Sequence, residues 1–297
     1  MRRVFLSALI VLTGLAAVMP LRAAEGKKKI VLVAGKDSHG RGEHEFRAGM
    51  MILAAALSAN VPDVEAVTTF DGWPADNSIF DNAAAVVIYC DGGGGHPIRA
   101  QWAKMEELIK KGVGLGCMHY GVEIPKGEGG GDRFLAWIGG YYEDGFSINP
   151  HWSSDTKLAP GHPVTRGVKS FNVRDEWYFN IRFPENKQGW TSILEGTPDD
   201  EARSGKTSWP RGPKPHITGA SGRSETLLWT VERPDGGRGF GFTGGHFHKN
   251  WANDDQRKLV LNAILWIAKV EVPENGVNSK TPTPEEMDAN LKQGKKK

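Results

Sequence analysis

An α/β fold built on a mostly parallel sheet is predicted for this chain by two patterns in its sequence. Apolar runs of strand length alternate with amphipathic helical stretches, the rhythm of β-α units. Three of those runs also end in glycine-rich turns that carry histidines. The turns are Ala34-Gly35-Lys36-Asp37-Ser38-His39 continuing to Glu43-His44, then Gly116-Cys117-Met118-His119-Tyr120-Gly121, then Gly244-Gly245-His246-Phe247-His248. In an open α/β sheet, ligands bind beyond the carboxyl ends of the strands, so these remote turns are expected to converge on one cleft.

The elements follow in order. Lys29 to Ala34 is a continuous apolar run closed by glycine, as a strand buried on both faces must be, and Glu43 to Asn60 has helical periodicity. Val64 to Thr69 and Ala84 to Cys90 repeat the strand signal. Pro97 suits the first turn of a helix from Ile98 to Lys111, which sets Trp102, Met105 and Ile109 on one face. Val113 to Met118 is the next strand. Right-handed crossovers then place helices on both faces of the sheet, an arrangement that is flavodoxin-like in class.

From Tyr141 to about Thr230 the pattern changes. Shorter strand signals at Asp175 to Phe183, Trp190 to Glu195 and Thr226 to Glu232 lie between Pro- and Gly-rich loops, and these predict antiparallel additions and long loops over the sheet. Arg238 to Thr243 is a further strand. Asp254 to Val270 is a closing amphipathic helix that carries Leu259, Ile264, Leu265 and Trp266.

The ends of the chain are of different character. Arg2 and Arg3, the apolar stretch Val4 to Met19 and the exit Leu21-Arg22-Ala23-Ala24 form a secretory leader over residues 1–24, with cleavage expected after Ala23 or Ala24. The apolar stretch is short of the roughly 20 residues that span a bilayer. The expectation is therefore an exported protein, periplasmic or extracellular, with no stable membrane insertion once the leader is gone. Losing Arg2, Arg3 and Arg22 brings the chain near neutrality, and nothing in its charge points to nucleic acid. Cys90 and Cys117 are its two cysteines, too few for a disulfide framework; both close apolar runs, which leaves two readings, two buried free thiols or one pairing between neighbouring strands. After a domain spanning residues 25–270, the polar tail 271–297 is expected to be disordered or to form one short surface helix.

His119 occupies a sharp strand-to-helix turn of the kind that exposes a central side chain. His246 and His248, two apart, share one face if their strand continues. His39 and His44 flank the start of the first helix. Neutral imidazoles are common metal ligands, so His119, His246 and His44 are candidate ligands for a divalent metal such as zinc. Glu123, Asp175 and Glu176 are the candidate carboxylates for acid/base work. His119, His246, Glu123 and Glu176 form the candidate catalytic set. His39, His44, Tyr120, Trp152, Trp177 and His248 are the candidate substrate contacts, the tryptophans because an indole beside polar groups stacks on a sugar face. Trp251 shares that expectation.

At these same residues the sequence resembles the trehalose-utilization, or ThuA-like, family, whose fold is similar to class I glutamine amidotransferases. The resemblance covers roughly Lys28 to Val270. It rests on Ser38-His39 with Gly42-Glu43-His44-Glu45-Phe46, and on Gly112 to His119 with Tyr120-Gly121-Val122-Glu123-Ile124-Pro125. It extends through Asn149-Pro150-His151-Trp152, Gly161-His162-Pro163-Val164-Thr165, Asp175-Glu176-Trp177-Tyr178, and Gly245-His246 followed by Trp251 and Leu265-Trp266.

The resemblance implies that His119 stands at the position of the amidotransferase cysteine and His246 near its catalytic histidine, so glutaminase activity is not expected. It also implies a role in the uptake or breakdown of trehalose or another disaccharide or oxidised sugar. The expected activity is a sugar hydrolase or isomerase with a small carbohydrate ligand. The alternative is a non-catalytic sugar-binding or accessory protein on the same scaffold.

Overall fold

A computed structural model describes residues 26–292, and the expected leader lies outside the described residues. The elements in chain order are β1 (Lys28–Ala34), α1 (Phe46–Asn60), β2 (Val64–Thr69), β3 (Ala83–Tyr89), α2 (Trp102–Lys110), β4 (Gly114–Met118), α3 (Gly130–Trp137), β5 (Lys157–Leu158), β6 (Trp190–Gly196), α4 (Asp200–Arg203), α5 (Pro215–Thr218), β7 (Glu225–Glu232), β8 (Arg238–Phe242), α6 (Asp254–Ile267) and α7 (Pro284–Asp288). The eight strands form one sheet in the order β2-β1-β3-β4-β8-β7-β6-β5. From β2 to β8 the pairings are parallel, and β7, β6 and β5 are added antiparallel at the far edge. This is the flavodoxin-like, glutamine amidotransferase-like α/β architecture expected from the sequence, with the antiparallel addition where the strand signals shortened. Among the described residues no helix is long and apolar enough to cross a membrane.

Alternation along β1 sorts the core into two layers. Ile30, Leu32 and Ala34 pack with α1 and α6 on one face, while Val31 and Val33 pack with α2 and α3 on the other. A strand covered by helices on both faces has no polar side, which is why its sequence reads as a continuous apolar run. Gly241 makes room for this packing: a Cβ there would lie 2.1 Å from the Trp229 ring. α6 begins where Asn253 accepts the Gln256 N–H at 2.9 Å and Asp254 and Asp255 occupy the first turn, both favourable at a helix N-terminus.

One expectation changes. Asp175 to Phe183 is not a strand; it makes only isolated bridges, Trp152 to Asp175, Ile148 to Phe179 and Tyr141 to Arg182, and so runs as a loop pinned at intervals over the sheet. In the tail, over 271–292, the chain forms the short surface helix that was one of the two expectations. Val272 and Val277 are buried, and α7 starts on a reciprocal capping box between Thr283 and Glu286.

Candidate functional site

The parallel strands diverge in connectivity between β1 and β3, which lie side by side although β2 separates them in the chain. Loops leaving the carboxyl ends at such a switch point open outward and leave a crevice. Here the β1 loop delivers Ser38, His39 and His44, the residue after Cys90 delivers Asp91, β4 delivers His119, and the turn after β8 delivers His246. The long connection from α3 to β6 lays Glu176 across them.

His44, His119, His246 and Glu176 place one ligating atom each within 4.8 Å of all the others. His44 Nε2 lies 3.0 Å from both His119 Nε2 and His246 Nδ1. Glu176 Oε2 lies 3.0 Å from His246 Nδ1 and 3.4 Å from His119 Nε2. The remote ring nitrogens fix the tautomers. His119 Nδ1 meets the Thr243 carbonyl at 3.0 Å, and a carbonyl only accepts, so that nitrogen carries hydrogen. His44 Nδ1 donates to the Asp91 carboxylate at 2.9 Å, beside Ser38 Oγ at 3.1 Å. Burial, and then the neighbouring histidines, push the His44 pKa far down, so its ring is neutral and Nε2 offers a lone pair. Two imidazole Nε2 atoms and a carboxylate oxygen thus converge. Facing acceptors at this distance repel unless a cation lies between them, either a proton on His119 Nε2 or a metal ion.

Burial works to raise the Glu176 carboxyl, but the adjoining His119 and His246 rings outweigh it and hold the group well below the usual range. Burial likewise lowers His246, yet the Glu176 hydrogen bond and charge reverse the balance and raise it. His246 Nε2 is buried and has no hydrogen-bond partner among the described residues; Glu43 Oε1 is 3.9 Å away.

The backbone is strained to place these rings. His39, His44 and His119 all have positive φ, at 63°, 48° and 51°. Such conformations are uncommon for residues with a Cβ, and they persist where the surroundings enforce them. Gly245 at φ 112° needs glycine outright, and its carbonyl accepts a hydrogen bond from the buried Tyr89 hydroxyl.

Asp175 holds the His246 turn. It is fully buried and accepts from the backbone N–H groups of Gly245 (2.8 Å), His246 (3.0 Å) and Phe247 (3.3 Å) and from Asn250 Nδ2 (3.0 Å). The His246 carbonyl in turn accepts the His44 N–H at 3.1 Å, and Glu43 bridges Phe247, which ties the two histidine loops together. The tail straps the β1 loop from outside. Lys292 Nζ donates to the Ser38 and Glu43 carbonyls, and the Lys292 N–H donates to Glu45 Oε2 at 2.9 Å.

The predicted residues therefore divide. His44, His119, His246 and Glu176 meet directly. His39 stacks on His44 with ring centroids 3.7 Å apart, and Tyr120 lies beside His44 at 6.0 Å. Glu123 sits next to Gly93 and Tyr120, and burial followed by the charges of Asp144 and Glu176 raises its carboxyl to about 7. His151 reaches the cleft, its ring 5.0 Å from that of His246, whereas His162 packs on Trp266 and caps a turn.

Four residues expected to contact substrate lie elsewhere. Trp152 and Trp177 are core residues, 3% and 1% exposed, with indole N–H groups spent on the Trp177 and Val173 carbonyls. Trp251 is wholly buried as well. His248 does not share a face with His246, because β8 ends at Phe242 and the chain turns; its Nε2 instead meets the Met287 carbonyl of the tail at 2.9 Å. Asp91 was missed, although a carboxylate directly after a buried strand at this end of the sheet is a readable signal. Thr243 serves through its carbonyl, which no side-chain pattern announces.

Comparison with known proteins agrees with this architecture. No curated protein matches the chain. Among solved structures it is similar to a ThuA-like protein of Parabacteroides merdae, with 18% identity over 86% of this chain and 94% of that one and a TM-score of 0.56. It is also similar to a ThuA-like protein of Bacteroides uniformis, with 14% identity over 84% and 95% and a TM-score of 0.55. These likenesses concern the fold. The family profile described as trehalose utilisation matches residues 30–267, from Ile30 in β1 through Ile267 at the end of α6. All of the sheet but the first two residues of β1, the convergent loops and the histidines they carry fall inside that span, and the chain belongs to the ThuA, or trehalose utilisation, family.

Proposed function

We propose that this protein acts enzymatically on a carbohydrate, trehalose or another disaccharide or an oxidised sugar, in a cleft where His44, His119, His246 and Glu176 hold a divalent metal ion. The family's description supports the carbohydrate class. The observation that carries the metal is the convergence of the His44 and His119 Nε2 lone pairs with the Glu176 carboxylate.

The donor set fits zinc. With bonds of about 2.1 Å, ligand atoms around a tetrahedral ion stand about 3.4 Å apart, close to the 3.0–3.4 Å separations here. Two of the rings have an outer partner for the other nitrogen, as metal-bound histidines require: Asp91 for His44 and the Thr243 carbonyl for His119, while Glu43 Oε1 lies 3.9 Å from His246 Nε2. When bound, such an ion supplies a Lewis acid that polarises a sugar oxygen or an attacking water. Glu123, with a carboxyl near neutrality, accepts or returns the proton, and His39 and His151 line the approach. Glutaminase chemistry has no nucleophile here: His119 occupies the turn, and Cys117 is wholly buried with its thiol pushed up by burial.

The test is metal content. Protein purified without tag or chelator is expected to carry near-stoichiometric zinc or another transition metal, and the His119→Ala/His246→Ala double variant to lose it. Equal content in the two, or none in either, removes the metal from the reading. Disaccharide turnover by the wild type separates an enzyme from a binding module, which has no turnover to lose in His119→Ala.

Export is proposed on the leader pattern alone. The mature protein is expected to begin at Ala24 or Glu25, and intact mass of the secreted form checks this; a chain that retains Arg2 and Arg3 contradicts it.

A further inference from the structure

We infer that Trp209 is the stacking platform of a pyranose subsite at the rim of the histidine cleft, a reading that rests on the carbohydrate role proposed above. Trp209 is 79% exposed and is the one large hydrophobic side chain so presented among the described residues. A lone exposed apolar side chain is ordinary on a protein surface, so exposure by itself says little. What singles out Trp209 is its anchoring. Its backbone N–H donates to Asn149 Oδ1 at 3.0 Å, and Asn149 Nδ2 donates to Glu176 Oε1 at 3.2 Å. The two partners fix the amide orientation, since one needs an acceptor and the other a donor. One asparagine thus links the backbone beneath the indole to the carboxylate of the cluster.

Neighbouring contacts hold the same loop in place. Thr207 Oγ1 accepts the His151 N–H at 3.3 Å, and His151 Nε2 lies 3.9 Å from Glu176 Oε1. The loop is closed on itself by Gly212 N–H to the Gly205 carbonyl at 3.1 Å and by buried Ser208, whose hydroxyl donates to Gly205 at 2.9 Å. A rigid loop that presents an indole at low entropic cost is what a stacking contact needs.

The chemistry of a pyranose matches the surroundings. Its ring has an apolar C–H face, suited to an indole, and a girdle of hydroxyls that need donors and acceptors. Asn149 and His151 supply these, and Lys214, from the same β6–β7 excursion, donates through Nζ to the Ser147 carbonyl at 2.6 Å, two residues before Asn149. Trp152 and Trp177 cannot serve, being enclosed in the core.

The experiment is calorimetric titration of the metal-loaded full chain with trehalose, maltose and cellobiose, using wild type, Trp209→Ala and Trp209→Phe, with metal content and Tm measured alongside. Trp209→Ala is expected to weaken binding about tenfold or more, and Trp209→Phe to keep most of it, with metal content and Tm unchanged in both. Bound sugar is also expected to protect the wild-type fluorescence from iodide quenching, and this protection is lost in Trp209→Ala. Equal sugar affinity in wild type and Trp209→Ala overturns the platform while leaving the carbohydrate reading intact. No binding of any of the three sugars by wild type overturns both. A change of oligomeric state in Trp209→Ala with unchanged sugar affinity reassigns Trp209 to a protein contact and also overturns it.

Discussion

Asp175→Ala is expected to destabilise the protein by about 3–5 kcal/mol and to abolish metal retention, although Asp175 is not among the converging ligands. The substitution strips the partner from four backbone N–H groups, those of Glu176, Gly245, His246 and Phe247, and from the Asn250 amide in a fully buried position. Each buried donor left unpaired costs about 1–3 kcal/mol, and partial entry of water offsets some of the sum. The turn that carries His246 then loses its fixed shape, so a stability defect and a site defect should appear together. Urea denaturation and metal analysis of the same preparation check this. A variant within about 1 kcal/mol of wild type that keeps its metal contradicts the clamp. Glu176→Ala should separate the two effects, with metal lost but stability changed far less, because its carboxylate satisfies side chains rather than the backbone.

Glu123→Gln is expected to gain stability at alkaline pH while losing turnover. The Glu123 carboxyl rises from an ordinary value of 4.5 to about 7 in the folded protein, through burial first and then Asp144 and Glu176. Between those values the folded state holds the proton more tightly than the unfolded chain does. Stability from this group is therefore fully present below 4.5, declines as pH rises, and is lost above about 7. The shift corresponds to about 3 kcal/mol. Glutamine cannot ionise, so the variant should match wild type at pH 4 and exceed it by up to about 3 kcal/mol at pH 8. Paired denaturation curves at the two pH values read the difference, with every other titrating group common to both proteins. A pH-independent difference rules out the raised carboxyl. On a sugar substrate, loss of the acid/base group is expected to slow turnover roughly 10²–10⁴-fold.

The contrast between Asp175 and Glu176 marks where sequence reasoning stops. Both are acidic and adjacent in the chain, and both stand out as candidate carboxylates. Only packing decides that Asp175 turns inward under the β8 turn and Glu176 turns toward the histidines. The tryptophans teach the same lesson: Trp152 and Trp177 sit beside polar residues in sequence and yet are enclosed, whereas Trp209, in a loop with no pattern of its own, stands in solvent.

The features legible in the chain alone are those that short-range physics encodes. Continuous apolar runs specified β1, β3 and β4 as strands buried on both faces, 3.6-residue periodicity specified α1, α2 and α6, and glycine-rich turns located the loops at the carboxyl ends. That was enough to place His44, His119 and His246 on one crevice, because a parallel sheet gathers those ends whatever their separation in the chain. Tertiary structure alone decided the rest. It set which nitrogen of each ring faces the centre, through the Thr243 carbonyl and Asp91. It turned His248 away to Met287, brought the tail back over Ser38 and Glu43, and broke the expected strand from Asp175 to Phe183 into isolated bridges. These outcomes depend on partners far away in the chain, and their energies come from pairing buried polar groups, which leaves no periodic trace in the sequence.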